Sequence, residues 1–164
     1  MLKQWAAVSD MAGQRSAGPQ DSCVHSNSPV GWGRVIGLMN IIGIGMDATE
    51  IDRIDAAVRR FGDRFLRRVF TEGEIAYATR RRNPAPHLAG RFAAKEAAMK
   101  ALGTGHSQGV LWRDIEVVRA GGPPQLRFHG GAARRFASMN ANGSLLTITH
   151  SETLAIAQVM LLGA

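Results

Sequence analysis

The chain has 164 residues, of which 45% are hydrophobic and 20% charged, a composition typical of one soluble domain with a single core. No apolar run approaches the ~20 residues that a membrane-spanning helix needs, and residues 1–38 lack the basic start and apolar stretch of a secretory signal. Cys23 is the only cysteine, which excludes a disulfide within the chain and fits a reducing compartment. These features predict a cytoplasmic protein with no membrane segment.

The net charge of +7 belongs almost entirely to residues 39–164, because residues 1–38 carry three basic and two acidic side chains. A basic surface attracts nucleic acid, anionic lipid, phosphorylated metabolites or acidic proteins, and net charge does not choose among them. Residues 1–38 are rich in Gly, Ser, Pro and Gln and have no sustained periodicity. We therefore expect a disordered N-terminal extension, followed by one folded domain over residues 39–164.

The folded domain is predicted to begin with a strand at MNIIGIGMD, in which apolar residues alternate. One face of this strand would carry Ile42, Ile44 and Met46, and the other Ile41, Gly43, Gly45 and Asp47. Two glycines on one face favour a close approach to the backbone, either by a ligand or by a packed helix. Asp47 ends that face as a turn residue or as a functional acid.

A helix is predicted after this strand, capped by Thr49 and with an apolar repeat at Ile51, Ile54, Val58 and Phe61. Residues 53–68 contain six arginines but only two aspartates. This charge indicates either a solvated helical face or a docking surface for an acidic partner, because guanidinium groups bind carboxylates bidentately. A second short helix, FTEGEIAYATRRR, should be opened by Thr71 and Glu74.

The next helix is predicted from about His87 to Leu102 and contains GRFAAKEAAMKALGTG. Its apolar stripe consists of Leu88, Phe92, Met99 and Leu102, with Lys95 in the middle, and alanines fill the neighbouring arc. Unpaired buried charge costs several kcal/mol per ion, so four charged residues need partners, solvent or a ligand: Arg91, Lys95, Glu96 and Lys100.

Two explanations of these charges are open. Glu96 and Lys100 could form an i, i+4 ion pair. Alternatively, the three cations could bind a phosphorylated ligand, with Glu96 bound to a metal ion or a proton. The adjoining Gly103-Thr104-Gly105 would let backbone amides approach such a ligand, or would only end the helix.

The last third of the chain is predicted to be mainly strands. A first pair of strands, DIEVVRA and PQLRF, should be joined through Gly121-Gly122-Pro123. A helix should follow over residues 132–140 and end near Asn142-Gly143. The chain should close with a second pair of strands, LLTITH and TLAIAQVMLL. Helices mixed with antiparallel strands in this order predict the α+β class.

Five segments carry a family resemblance: GIGMDATEIDRI, FTEGEIAY, AGRFAAKEAAMKALGTG, DIEVV and TITHSETLAIAQVML. In this order, over residues 39–162, they resemble holo-acyl-carrier-protein synthase, the small type of 4′-phosphopantetheinyl transferase. The resemblance implies an antiparallel sheet packed around a long central helix. It also implies transfer of the phosphopantetheine arm of coenzyme A to a serine of apo acyl carrier protein, in fatty acid biosynthesis, with release of adenosine 3′,5′-bisphosphate.

The resemblance also implies roles for individual residues. Asp47 and Glu96 would hold Mg²⁺, and Asp47, Glu96 and Lys100 would be catalytic. In this assignment Lys100 stabilises charge on the reacting phosphates, and Glu96 is a candidate to accept the serine proton. The residues expected to bind coenzyme A are Arg91, Lys95, Lys100, Gly103, Thr104, Gly105, His150 and Ser151.

Members of the family are trimers with sites between subunits, so the resemblance implies a homotrimer. Arg53, Arg60, Arg64 and Arg67 would bind the acidic carrier protein. The chain departs from the family in its N-terminal extension and in its basic run at residues 80–82. A basic nucleic-acid-binding module without catalysis is the alternative function, and an inactive scaffold that keeps the fold is a third. With the transferase preferred, we expect neither nucleic acid nor membrane as a partner.

Overall fold

The computed structural model describes residues 40–119 and 121–164. The elements, in chain order, are strand β1 Asn40–Glu50, helices α1 Ile51–Phe61, α2 Asp63–Val69, α3 Glu72–Thr79 and α4 Pro84–Leu102, a 3₁₀ turn Trp112–Asp114, strands β2 Ile115–Val118 and β3 Gln125–Phe128, helix α5 Gly130–Ser138, and strands β4 Ala141–His150 and β5 Leu154–Gly163. The N-terminal extension, residues 1–38, lies outside the described residues, so its disorder stays a prediction.

The main sheet is antiparallel, with strand order β1-β5-β4, and β2 pairs separately with β3. Helix α4 packs on one face of the main sheet, where its alanines join the core cluster with Val159 and Leu161 of β5. This arrangement confirms the predicted α+β class, with an antiparallel sheet against a long helix. None of the helices within the described ranges is both long and apolar enough to cross a membrane.

The glycines of β1 are explained by the packing of α4. A Cβ atom on Gly43 would overlap the carbonyl oxygen of Ala101, and one on Gly45 would overlap that of Ala97 and lie 2.7 Å from the amide nitrogen of Ala101. Backbone therefore lies directly against backbone, which only glycine permits here. Of the two explanations that the sequence left open, helix packing is correct.

The faces predicted for β1 are correct from Gly43 onward, but they are wrong at Ile42 and at Ile41, which is 59% exposed. Ile44 and Met46 point away from α4 and are 58% and 62% exposed. The register shifts between Ile41 and Gly43, which pair with Leu162 and Leu161. This bulge leaves Ile42 partly buried against the core under α4.

The predicted cap at Thr49 is wrong. Strand β1 continues through Glu50, because it keeps pairing with β5 to that residue, and the Thr49 hydroxyl donates to Asp47 Oδ2 at 2.9 Å. The apolar repeat is also wrong at Phe61, which is half exposed. Gly62 follows it with a φ of 52° and separates α1 from α2.

Helix α3 begins as predicted, with a capping box in which Thr71 and Glu74 each accept the other's backbone N–H. Helix α4 begins three residues earlier than predicted, because the Asn83 side chain accepts the Ala85 N–H and prolines fit the first turn of a helix. Helix α5 ends at Ser138 and strand β4 begins at Ala141, so Asn142-Gly143, where the helix was predicted to end, lies within the strand.

Candidate functional site

Asp47 and Lys100 meet where β1 crosses the last turn of α4. Lys100 Nζ lies 2.8 Å from Asp47 Oδ1 and 2.9 Å from the carbonyl oxygen of Met46. The lysine side chain is 52% exposed and the aspartate side chain 17%. The pair is therefore open to solvent on the lysine side, where an anion could reach the ammonium group.

Glu96 precedes Lys100 by one turn of α4 and so points to the same side of the helix. Its Oε1 atom accepts from His106 Nε2 and from Trp112 Nε1, both at 2.8 Å. Within the described residues, Oε2 accepts no hydrogen bond, and Lys100 pairs with Asp47, not with Glu96. The predicted i, i+4 pair is thus not formed, and one carboxylate oxygen of Glu96 is available.

The acids fit the donor set of Mg²⁺, which binds one or two carboxylates and completes its shell with phosphate oxygens and water. Residues 40–119 and 121–164 contain no group of three or more His, Cys, Asp or Glu side chains that could hold a metal without such help. The candidate carboxylates are Asp47, which pairs with Lys100, and Glu96, which lies one turn of α4 before Lys100. A metal here would therefore depend on substrate oxygens.

Lys95 does not have the environment predicted for a phosphate ligand. Its side chain is fully buried, with Nζ 2.8 Å from Glu74 Oε2, and it donates to the carbonyl oxygens of Trp112 (3.0 Å) and Ile115. Burial lowers the pKa of Lys95, and the charge of Glu74 opposes that shift. The predicted phosphate contact is therefore contradicted, because the ammonium group is enclosed by its partners.

Arg91 lies in a cleft of about 240 Å³ between α3, α4, β2 and β4. The polar and aromatic side chains lining this cleft are Tyr77, His87, Arg91, Arg119 and His150. Arg91 is 7% exposed, and its guanidinium lies 4.0 Å from the Tyr77 ring centroid. Its Nη1 donates to the carbonyl oxygen of His87 at 3.2 Å, but its buried Nε has no partner among the residues that the structure describes. An unsatisfied cationic donor in a cleft indicates an anion site.

The electrostatics of this cleft agree with that interpretation. Burial, followed by the charges of Arg81 and Arg91, lowers the pKa of His87, so its imidazole is neutral near pH 7. Burial raises the pKa of Tyr77, but hydrogen bonds from Arg81 and Arg119 outweigh it and lower the pKa overall. Arginine charges contribute to both shifts, and the positive potential of these arginines would attract a phosphate.

His150 and Ser151, predicted together for nucleotide binding, have different surroundings. His150 ends β4 in the cleft, with its ring centroid 6.4 Å from that of His87. The Ser151 hydroxyl accepts the N–H groups of Thr153 and Leu154 in the turn between β4 and β5. Only His150 lines the cleft, whereas Ser151 shapes the turn beside it.

The Gly103-Thr104-Gly105 segment ends α4. Gly103 has a left-handed φ of 69°, and its N–H donates to the carbonyl oxygen of Lys100. The N–H groups of Thr104 and Gly105 both donate to the carbonyl oxygen of Met99, at 3.1 and 3.4 Å. These amides are occupied by the helix cap, so the predicted contact of this segment with a ligand would have to use other atoms of its residues.

The four arginines predicted to bind a partner are exposed on α1 and α2: Arg53, Arg60, Arg64 and Arg67. Arg67 lies within 3.9 Å of Asp63 and 3.5 Å of Glu72. The other three form no ion pair with any residue that the structure describes. They are available to carboxylates of a partner.

Several residues near these sites were missed by the sequence analysis. His106 and Trp112 contact Glu96, Glu74 neutralises Lys95, and Tyr77, His87 and Arg119 line the cleft. Glu74 and Tyr77 lie on α3, but the other residues lie in separate parts of the chain. Their roles follow only from the packing of the chain around α4.

Comparisons with known proteins agree with the family resemblance. The model of the family described as the 4′-phosphopantetheinyl transferase superfamily matches residues 43–157. The chain is 47% identical over 122 residues to a holo-[acyl-carrier-protein] synthase from Solibacter usitatus, covering 74% of this chain and 98% of that protein.

Solved structures give the same relationship. A holo-[acyl-carrier-protein] synthase from Neisseria meningitidis is 30% identical with a TM-score of 0.69, over 74% of this chain and 98% of that one. One from Bacillus anthracis, in complex with coenzyme A (3′,5′-ADP), is 36% identical with a TM-score of 0.63, over 77% and 99% of the two chains.

Proposed function

The chain belongs to the 4′-phosphopantetheinyl transferase superfamily, and we infer that its reaction is that of the holo-[acyl-carrier-protein] synthases. It transfers the phosphopantetheine arm of coenzyme A to apo acyl carrier protein. The similarity over nearly the full length of the relatives carries this conclusion. It favours the transferase over the nucleic-acid-binding alternative, and it fits the cytoplasmic location predicted from the sequence.

The proposed reaction replaces the phosphoanhydride bond within the diphosphate of coenzyme A with a phosphoester bond to serine. The serine oxygen of the carrier protein forms a bond to the β-phosphorus of coenzyme A, and the bond from that phosphorus to the bridging oxygen breaks. Adenosine 3′,5′-bisphosphate leaves with that oxygen, and the serine proton passes to a base, for which Glu96 is the candidate. Lys100, held by Asp47 and half exposed, would stabilise the negative charge that develops on the leaving group.

Asp47 and Glu96 are the proposed ligands of Mg²⁺. Support comes from the unoccupied Oε2 of Glu96 and from the Asp47–Lys100 pair, since Lys100 lies one helical turn after Glu96 on the same side of α4. When bound, the ion would neutralise charge on the diphosphate oxygens. The protein's own part is to hold the two carboxylates and the ammonium group around the diphosphate.

The cleft beside Arg91 is the proposed site for a phosphate of the nucleotide half of coenzyme A. The unpartnered Nε of Arg91, the neighbouring Arg119 and the two histidines support this assignment. Lys95 and the amides of residues 103–105 take no part in it, because they are occupied within the fold. Ser151 would act through the turn that carries His150.

The acidic carrier protein is proposed to dock on Arg53, Arg60, Arg64 and Arg67. Their exposure on adjoining helices supports this surface. Because opposite charges steer the encounter, added salt should slow association with the carrier.

A homotrimer with sites between subunits is proposed because one face of the main sheet is apolar and uncovered within the described residues. Ile44 pairs with Met160, and Met160 with Leu145, so an apolar row crosses all three strands on the face opposite α4. Ile44 and Leu145 are 58% and 56% exposed. An apolar patch of this kind commonly marks an interface.

Intact mass spectrometry of a carrier protein tests the proposed function. Incubation of apo carrier with coenzyme A, Mg²⁺ and the protein should add about 340 Da, the mass of the transferred arm. Asp47→Ala and Glu96→Ala, checked for folding by circular dichroism, should lose most turnover. No mass gain with several apo carriers that another transferase modifies would contradict the function. Normal turnover in both variants would contradict the metal site alone.

A further inference from the structure

The carboxylate of Glu96 is held from one side only. The indole N–H of Trp112 and the imidazole of His106 both meet Oε1 at 2.8 Å, and the two rings lie 3.8 Å apart between centroids. Within the described residues, the other oxygen, Oε2, has no hydrogen-bond partner. Two ring donors on one oxygen fix the rotation of the carboxylate, so the free oxygen has a defined direction.

We propose that Trp112, supported by His106, is a positioning residue that holds Glu96 with Oε2 directed to the divalent cation and the diphosphate. This inference rests on the proposed function. Neither ring needs to touch the substrate, since both act through Glu96. Partners of this kind, which bind a metal ligand and not the metal, typically contribute about 10-fold to 100-fold in metal affinity or activity.

The backbone of Trp112 is fixed by the buried Glu74–Lys95 pair. Lys95 Nζ donates to the carbonyl oxygen of Trp112 at 3.0 Å, while the Trp112 indole donates to Glu96, the next residue along α4. Neighbouring residues of one helix therefore bind the two ends of the same tryptophan. This gives Lys95 a role near the site that differs from the phosphate contact predicted from the sequence.

The 3₁₀ turn that carries Trp112 has a second attachment. Asp114 Oδ2 accepts the N–H groups of Leu111 at 3.2 Å and of Gly131, in α5, at 3.0 Å. The Phe92 ring packs against the indole, with centroids 6.1 Å apart. The hydrogen bonds from Lys95 and to Asp114 thus fix the backbone of the turn, and a fixed donor is what a precise carboxylate orientation requires.

A packing role alone would make different predictions from a positioning role. If Trp112 only fills space, Phe at this position should lower stability and leave metal affinity unchanged. If its N–H orients Glu96, Phe should weaken metal binding even in a well-folded protein, because the ring is kept and only the donor is lost.

The test is a set of matched variants of the full chain. Trp112→Phe removes the indole donor, His106→Leu removes the imidazole donor, and His106→Gln keeps an N–H at that position. Phe92→Leu is the control, because Phe92 packs on the same indole but has no group that can bond to Glu96. Each variant is checked by urea unfolding before use.

Mn²⁺ binding, followed by electron paramagnetic resonance of the free ion, is measured with coenzyme A present and carrier absent, so that no turnover occurs. We expect Trp112→Phe to weaken Mn²⁺ binding about 10-fold or more and to lower kcat, without a matching rise in KM for the carrier. His106→Leu should show a smaller loss that His106→Gln restores. Phe92→Leu should change stability only.

Wild-type Mn²⁺ affinity and kcat in Trp112→Phe would overturn the positioning role while leaving the transferase function intact. Equal Mn²⁺ losses in Trp112→Phe and Phe92→Leu would also overturn it, because packing would then explain both. A wild-type protein that neither binds Mn²⁺ nor modifies a carrier would instead overturn the proposed function.

Discussion

Lys95 is a charged residue in the middle of an apolar helix face, and its partner explains how it is tolerated. Glu74 and Lys95 are both buried, and backbone groups use the remaining donors and acceptors of the pair: the N–H groups of Thr71 and Val117 and the carbonyl oxygens of Trp112 and Ile115. A buried ion pair adds little net stability when it is intact, but removal of one partner leaves an uncompensated charge.

Lys95→Met should therefore destabilise the fold by about 3–5 kcal/mol, because the Glu74 carboxylate would remain buried without its counter-ion. The double variant Lys95→Met with Glu74→Gln should recover part of this loss, since the amide is neutral and its oxygen can still accept the Val117 N–H. Urea unfolding measures both. If Lys95→Met alone were as stable as the wild type, Lys95 would not be needed to neutralise the buried Glu74 carboxylate.

Arg91→Met keeps much of the packing against Tyr77 and removes the unsatisfied guanidinium donor of the cleft. Loss of a hydrogen bond to a charged group costs about 1.5–3 kcal/mol, so binding of adenosine 3′,5′-bisphosphate should weaken by roughly 10-fold or more. Calorimetric titration measures the affinity, and Arg134→Ala, an exposed site on α5, is the control. Unchanged affinity in Arg91→Met would remove the cleft from the proposed site.

Glu116 should give the folded protein part of its acid sensitivity. Burial raises its pKa, but hydrogen bonds from His129 and Thr71 outweigh burial and lower the pKa below its usual 4.5. Because the folded pKa is the lower one, the stabilisation is present above pH 4.5 and is lost as pH falls through the folded value.

Glu116→Gln should accordingly flatten the decline in unfolding free energy between about pH 5 and the acid transition. Urea unfolding at a series of pH values measures the slope, and exposed Glu152→Gln serves as the control. Parallel curves for wild type and Glu116→Gln would contradict the assignment.

At the scale of elements, features that depend on neighbouring residues were predicted correctly. Features that depend on pairing with a distant strand were not. The capping box of Thr71 and Glu74 lies within one turn of chain, so the sequence was enough to place the start of α3. Thr49 is an equally good cap on local grounds, but pairing of β1 with β5 extends the strand past it. The bulge at Ile42 likewise depends on a partner strand more than a hundred residues away.

The contact between β1 and α4 requires the glycines of β1. Gly45→Ala should destabilise the fold by about 1–3 kcal/mol or more, because its Cβ atom meets backbone atoms of Ala97 and Ala101, which cannot rotate away. Gly143→Ala is the matched control in the same sheet, where the nearest atom lies 3.5 Å away in the Leu162 side chain. Thermal unfolding compares the stability of the two variants. Equal losses of stability would mean that the replacement of glycine itself, and not the contact with α4, causes the destabilisation.

At the scale of the whole molecule, the sequence pointed to candidate site residues but not to how the fold groups them. Asp47, Glu96 and Lys100 were selected from one strand and one helix, and the structure brings Lys100 to Asp47. Lys95, in the same motif as Glu96, points into the core instead, because successive residues on a helix lie about 100° apart. Helical spacing gives the face of each residue, but only the packed fold identifies what covers that face.

The uncovered face of the main sheet gives the last prediction, on assembly. Ile44→Glu should convert the proposed trimer to monomer, because it replaces a buried apolar contact of about 1.5–3 kcal/mol in each protomer with a charge that must be desolvated. It should also reduce transfer to carrier if sites are shared between subunits. The Ile44 side chain lies on the face opposite α4, so the Asp47–Lys100 pair within the chain should stay intact.

Sedimentation velocity and intact mass analysis of the carrier measure both effects of Ile44→Glu on the same sample. Ser138→Glu, exposed on α5, adds the same charge away from the sheet and should remain trimeric and active. A wild-type protein that sediments as a fully active monomer would contradict the assembly. A monomeric Ile44→Glu with full transfer would instead separate the two proposals, since the apolar row would then hold subunits together without completing their sites.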